Sequence, residues 1–157
     1  DAYSVRASAG ILFNHEGPRR GENFVTQKII KWISEFVKAY KSKDFPKLKL
    51  GNIDAYRDWG YAGDYVEAMY MMVQKNIPDD YVICTGKTHT IRDFLRMSFA
   101  HIDIEDWENY IEIDPELYRP CEVEYLRGDC SKANEVLGWK PKHDLESLIK
   151  LMINAKL

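Results

Sequence analysis

Two adjacent guanidiniums, Arg19 and Arg20, stand in a loop bent by Gly17, Pro18 and Gly21, directly after Asn14-His15-Glu16 and directly before an apolar-periodic stretch that opens at Asn23. Arginine's planar fork bonds two phosphate oxygens at once. The unpaired N–H groups at a helix start favour the same ligands. The segment from Gly10 to Ile29 therefore combines a strand end, a basic loop and a helix start, which together can hold an anion. On residue types alone a solvated basic loop is the plainer reading. Arg57, followed by Asp58-Trp59-Gly60, and Arg119, followed by Pro120, are further candidates, each beside a rigid neighbour. Converging, they could neutralise a diphosphate through charge-assisted bonds; singly, each is an ordinary surface ion pair.

Other patterns carry less. Gly86-Lys87-Thr88 looks like the end of a P-loop, but Tyr81 stands where that motif needs glycine. His89, His101 and His143 lack metal-ligand spacing, and no metal site is expected. The acidic run Asp103 to Glu108 lacks the glycine and terminal glutamate of a calcium loop and reads as solvated. Trp59 and Trp139 could stack on a base, yet tryptophans beside glycine are more often packing anchors.

The elements that must position these residues follow from periodicity. Ser8 to Phe13 is a short apolar run that reads as a buried strand. Phe24, Ile29, Ile33, Phe36, Val37 and Tyr40 recur at helical spacing and predict an amphipathic helix from Asn23 to about Tyr40. A second helix fits Tyr61 to Gln74, with Tyr65, Met69, Met72 and Val73 as its core stripe and the methionines as core filler. Tyr81 to Cys84 reads as a strand. A helix begins at Thr90, whose hydroxyl can cap it while Asp93 answers three residues later. Two more cover Ser131 to Leu137, stopped by Gly138, and Asp144 to Asn154. The order is mixed α/β with helices dominating. Two strands separated by two helices do not make a self-sufficient doubly wound sheet, so either they pair with strands outside this chain or the fold is irregular.

The 157 residues suit one domain, and 45% hydrophobic content can build a core. A net charge of -3 argues against general nucleic-acid affinity. No run approaches the ~20 apolar residues that span a bilayer. The opening Asp1-Ala2-Tyr3-Ser4 lacks the design of a signal peptide and carries no initiating Met, which suggests that something upstream is missing. Three cysteines, Cys84, Cys121 and Cys130, without CxxC spacing suggest neither a disulfide framework nor a zinc site, and a reducing cytosol is the simplest setting.

The stretch Leu12-Phe13-Asn14-His15-Glu16-Gly17-Pro18-Arg19-Arg20-Gly21-Glu22-Asn23-Phe24-Val25-Thr26-Gln27-Lys28 resembles the LFNHE.PRRGENFVT.K block of the GDP-mannose 4,6-dehydratases, which are extended short-chain dehydrogenase/reductase (SDR) enzymes. Three further blocks match in order: Gly51 to Gly60 with Asp64-Tyr65-Val66, Tyr118 to Val123, and Gly128 to Ala133 continuing through Leu137 to Pro141. The resemblance implies an α/β fold, the helix-rich C-terminal substrate-binding part of an extended Rossmann-type fold whose N-terminal dinucleotide-binding half is missing. Residues 1–20 and about 78–100 would join the missing Rossmann sheet. It also implies NADP contacts at His15 and Arg20, and GDP-sugar contacts at Asn14, Val25, Lys28, Arg57, Arg119 and Glu122. The implied substrate is GDP-mannose, and the implied partners are the missing half or other subunits of a homo-oligomer, with neither nucleic acid nor membrane. Two positions depart from the family pattern: Gly17 stands for the usual serine and Gln27 for the usual arginine.

None of the ten tyrosines begins a Tyr-x-x-x-Lys pair, and there is no Gly-x-Gly-x-x-Gly turn. No catalytic residue is therefore assigned within the chain, which is expected to be inactive alone. The alternatives are a non-catalytic nucleotide-sugar-binding or complementing module, an inactive fragment, or part of another extended SDR epimerase or dehydratase.

Overall fold

The computed structural model of the chain describes residues 6–157; the first five, part of the 1–20 stretch expected to join a sheet, lie outside the described residues. In chain order the elements are β1 (Gly10–Leu12), β2 (Asn14–Glu16), α1 (Val25–Lys38), β3 (Leu48–Leu50), β4 (Tyr56–Arg57), β5 (Trp59–Tyr61), α2 (Ala62–Gln74), β6 (Tyr81–Ile83), β7 (His89–Thr90), α3 (Ile91–Ala100), β8 (Ile111–Ile113) and α4 (Leu145–Asn154). The strands form four two-stranded pairs, β1–β6, β2–β5 and β3–β8 parallel and β4–β7 antiparallel.

Helices α1, α3 and α4 pack on one another. Ile29, Ile30, Ile33 and Phe36 recur at three- and four-residue steps, so α1 presents one apolar face, which is fully buried against Phe94, Leu95, Phe99, Leu148 and Met152. Each such side chain contributes about 1.5–3 kcal/mol on burial. Trp32 extends the core by stacking on Phe36, ring centroids 4.9 Å apart, and donates its indole N–H to the Pro46 carbonyl at 2.8 Å. Helix α1 stops at Lys38 because Tyr40 and Lys41 adopt left-handed φ of 55° and 54°, so the helix expected to reach Tyr40 is shorter at both ends. At α3 the Thr90/Asp93 capping box forms as expected: Thr90 Oγ1 accepts from Asp93 N and Asp93 Oδ2 from Thr90 N, both at 3.0 Å. Helix α4 is capped by Asp144, whose carboxylate accepts from Ser147 N.

A second, smaller core joins Tyr65, Ala68 and Met72 of α2 to Tyr81, Ile83, Leu137 and Trp139. Here two expectations are corrected. Met69 and Val73 are exposed, because Tyr65, Ala68 and Met72 occupy the inward stripe and leave Val66, Met69, Tyr70 and Val73 on the outer side. The Ser8–Phe13 run is not a buried strand: β1 spans three residues, and Ile11 is 58% exposed. The chain bends at Phe13 and resumes as β2. The stretch ending at Leu137 is helical but closes as a widened π-type turn over Ala133–Leu137, after which Gly138 (φ 74°) turns the chain and brings Trp139 N back to the Ala133 carbonyl. Of residues 78–100, Tyr81–Ile83 lies beside β1, whereas Ile91–Ala100 is α3 in the helical layer. Among the described residues no helix is long and apolar enough to cross a membrane.

Candidate functional site

Six residues from four separate segments line one groove of about 280 Å3: Asn14 on β2, Val25 and Lys28 on the first turn of α1, Arg57 on β4, and Arg119 and Glu122 from the segment after β8. These are the residues the family resemblance pointed to as sugar-nucleotide contacts. The strand pairing explains the convergence. In the β2–β5 register Asn14 lies opposite Trp59 and His15 opposite Gly60, while Tyr56 N and Leu126 N bond across to Glu124 O and Tyr56 O and draw the 118–126 segment over the same wall. Gly60 is required there, because a Cβ would meet Tyr65 Cε1 at 2.5 Å.

Lys28, Arg57 and Arg119 outnumber the carboxylates Glu16 and Glu122 in the groove lining. Arg57 is ion-paired with Glu122 and donates to the carbonyls of Tyr56 at 2.6 Å and Val123 at 2.5 Å, so the two candidate ligand groups engage each other across the groove. Lys28 reaches the Lys49 carbonyl at 2.7 Å. Helix α1 opens onto the groove with Phe24 as N-cap, with no side-chain cap and no acidic residue in its first turn. Its leading N–H groups and dipole therefore add to the attraction for an anion.

The two remaining candidates face a neighbouring cavity of about 440 Å3 formed by the Gly17–Arg20 turn and the β5–α2 junction. His15 Nδ1 donates to the Phe13 carbonyl at 2.8 Å, which fixes the tautomer and leaves Nε2 for a ligand. The Arg20 guanidinium lies over the Phe24 ring, Cζ 3.5 Å from its centroid, and its Nε is 3.3 Å from Glu16 Oε2. This pair could hold one anionic edge of a dinucleotide. It is not a whole cradle, since the sequence supplies no glycine-rich turn.

Several residues that organise the site are not singled out by the sequence. Glu16, 2% exposed, accepts from Thr26 Oγ1 at 2.6 Å; burial raises its pKa above the usual carboxylate range, opposed by the Thr26 bond and by the charges of Arg20 and His15. Asp58, fully buried, accepts from Thr85 N and Oγ1, Gly86 N and Gly128 N, tying β5 to two distant loops. Asp64 accepts from Lys142 N, His143 N and His143 Nδ1, while its carbonyl receives the Trp139 indole N–H at 2.8 Å. Trp139 is thus a packing anchor, and Trp59 packs edge-on to Phe94. Gln27, in place of the arginine usual for the pattern, is 1% exposed and donates to the Pro18 carbonyl at 3.3 Å, so it braces the basic turn from beneath. A buried carboxylate accepting several N–H groups is visible only once the fold brings the donors together.

The chain matches the family model described as GDP-mannose 4,6 dehydratase over residues 1–152. It is 51% identical over its full length to GDP-mannose 4,6 dehydratase 1 of Arabidopsis thaliana, covering 42% of that protein, and 43% identical over 99% of its length to the Homo sapiens GDP-mannose 4,6 dehydratase, covering 45% of it. The chain thus spans less than half the length of these curated relatives. In fold it is similar to the structure of RMD from Pseudomonas aeruginosa complexed with NADPH (TM-score 0.83, 21% identity, 99% of this chain and 49% of that one). It is also similar to dTDP-glucose 4,6-dehydratase from Bacillus anthracis in complex with NAD (TM-score 0.79, 15% identity, 98% of this chain and 45% of that one).

Proposed function

The chain belongs to the GDP-mannose 4,6-dehydratase family, and from that premise we propose that it forms the GDP-sugar-binding side of an NADP-dependent dehydratase site acting on GDP-mannose, and that it has no dehydratase activity by itself. The observation that carries this reading is the meeting of Asn14, Val25, Lys28, Arg57, Arg119 and Glu122 in one groove. Arg119 and Arg57, with Lys28 and the uncapped start of α1, supply the positive field that a diphosphate needs. Glu122 can accept from ribose or base hydroxyl and N–H groups once its pairing with Arg57 is shared with ligand. Asn14 orients the sugar at the start of β2, next to His15 and Arg20, which hold the cofactor's edge. When bound, NADP supplies the hydride acceptance from the sugar's C4 and its return at C6. The proton transfers for loss of water between those steps require an acid and base beyond the groups of this chain, in which no Tyr-x-x-x-Lys occurs.

A specific observation supports a role in concert with a second component. Among the described residues β1 pairs on one edge only, to β6, and α2 carries the outward apolar stripe Val66, Met69, Tyr70 and Val73. Parallel strands normally sit in sheets buried on both faces. We read β1 and β6 as the margin of a larger Rossmann-type sheet whose remaining strands come from the dinucleotide-binding half or from an assembled subunit. A cytosolic setting accords with the unpaired thiols Cys84, Cys121 and Cys130.

Calorimetric titration of the chain with GDP-mannose and with UDP-glucose tests the assignment. Tighter binding of GDP-mannose is expected; equal or tighter binding of UDP-glucose would move the chain to another nucleotide-sugar class. The purified chain, given GDP-mannose and NADP, should form no 4-keto product, and measurable product would overturn the inactive-alone part. Mixing with a dinucleotide-binding half should give a complex on size exclusion, and its absence counts against the complementation reading.

A further inference from the structure

Glu16 lies between the two cavities and lines both. One of its oxygens, Oε2, accepts the Thr26 hydroxyl at 2.6 Å in the first turn of α1 and is the ion-pair contact of Arg20 in the basic turn, 3.3 Å from an Nε that is buried and makes no hydrogen bond among the described residues. Arg20 is further confined by the Phe24 ring beneath its guanidinium. A guanidinium faced by a carboxylate along its Nε edge and by an aromatic ring on one face has fewer rotamers open to it. Its two terminal nitrogens, for which the described residues show no carboxylate partner, remain as a fork beside the cavity lined by His15, Gly17 and Tyr61. A free arginine side chain loses rotamer entropy when a ligand fixes it, and preorganisation removes part of that cost on binding.

We propose that Glu16 is a positioning residue, which sets the Arg20 fork for a phosphate-type anion and, through Thr26, ties that fork to the start of α1 at the sugar-nucleotide groove. This rests on the reading of Arg20 as an anion contact. Glu16 acts by geometry: Thr26 needs an acceptor at the Oε2 position and the buried Arg20 Nε an oxygen facing it, and an amide oxygen can stand in that place.

The test is binding of inorganic pyrophosphate to the full chain by calorimetry, with the arginine Nε–H resonances of a 15N-labelled sample locating the site. In the wild-type chain the Arg20 Nε–H signal, identified by its loss in Arg20→Ala, should shift on titration, and Arg20→Ala should weaken binding tenfold or more. Glu16→Ala should weaken it by a similar factor, the double variant should be no weaker than Arg20→Ala alone, and Glu16→Gln should recover affinity to within threefold of wild type. If Glu16→Ala does not melt cooperatively, Glu16→Asp, which withdraws the acceptor by one methylene, takes its place with the same expected loss. If neither the Arg20 signal nor the affinity responds to pyrophosphate and Arg20→Ala, the anion reading of Arg20 falls and the proposal with it. If Arg20→Ala is costly while Glu16→Ala or Glu16→Asp binds as wild type, or the two losses add, the positioning role alone is overturned. A Glu16→Gln variant as weak as Glu16→Ala would equally overturn it.

Discussion

Arg57 and Glu122, 65 residues apart in sequence, form an ion pair across the groove lined by Lys28 and Arg119, and the same guanidinium donates to the carbonyls of Tyr56 and Val123. The guanidinium is therefore oriented before any ligand arrives, and its contribution depends on its fork. Arg57→Ala should weaken GDP-mannose binding by about ten- to a hundredfold, the span of a charge-assisted bond of about 1.5–3 kcal/mol. Arg57→Lys should recover little of that, because a point charge cannot serve both carbonyls and the carboxylate. Titration calorimetry on both variants measures this, and a lysine variant with wild-type affinity would show that charge alone suffices.

Asp58 receives four donors from Thr85, Gly86 and Gly128 and has no exposure to solvent. Asp58→Ala strands those donors in the interior and should destabilise the fold by about 3 kcal/mol or more. Urea unfolding followed by circular dichroism gives the number; a loss below about 1 kcal/mol would mean that water replaces the carboxylate.

The raised pKa of Glu16 makes a pH signature. Burial is the leading cause, and the folded chain therefore binds a proton at pH values where the unfolded chain has already released it. Between the ordinary carboxylate value and the raised one, wild-type stability should fall as pH rises, and above that window the loss should be constant. Glu16→Gln has no proton to release. The difference in unfolding free energy between Glu16→Gln and wild type should accordingly grow in favour of the variant through the window, then level off. A difference independent of pH from mildly acidic to neutral solution contradicts the shift.

Gly60 lies opposite His15 in the β2–β5 pair, and a Cβ there would come within 2.6 Å of the Tyr65 hydroxyl oxygen. Tyr65 is buried against Trp139 and has nowhere to retreat. Gly60→Ala should cost about 1–3 kcal/mol in overpacking and should disturb the groove and the cavity beside His15 and Arg20 together. Melting and GDP-mannose titration of the variant read the two effects separately; unchanged melting would show that the Tyr65 ring yields.

The helices were legible in the sequence because long amphipathic repeats are redundant: Ile29, Ile33 and Phe36 mark α1, and Thr90 with Asp93 mark the start of α3, without reference to the rest of the chain. Of the strands, Tyr81–Ile83 was legible within the Tyr81–Cys84 run, and Gly10–Leu12 lies inside the longer Ser8–Phe13 run; the others were not. Units of two or three residues such as Tyr56–Arg57 carry no readable alternation, and their existence depends on distant partners. The outward stripe on α2 was misassigned for a related reason, since Met69 and Val73 are apolar in sequence whether or not anything in this chain covers them. The groove residues were reached through resemblance, and the fold accounts for their meeting; Glu16, Asp58 and Thr26, which act on other residues, have no sequence signature of that role.

The strand pairs also govern when the groove can exist. Leu48 pairs with Ile111, Asn14 with Trp59 and Gly10 with Tyr81, so every parallel ladder closes a long loop, and loop-closure entropy has to be met before any ladder gains from it. High contact order slows folding. On a ribosome, Arg57 emerges well before Glu122, and the wall of the groove that holds Arg119 and Glu122 is added only when most of the chain has been made. Nascent α1 and the inward stripe of α2, Tyr65, Ala68 and Met72, are meanwhile without their partners, which makes this interval of synthesis the one in which chaperone capture or misassociation competes with assembly.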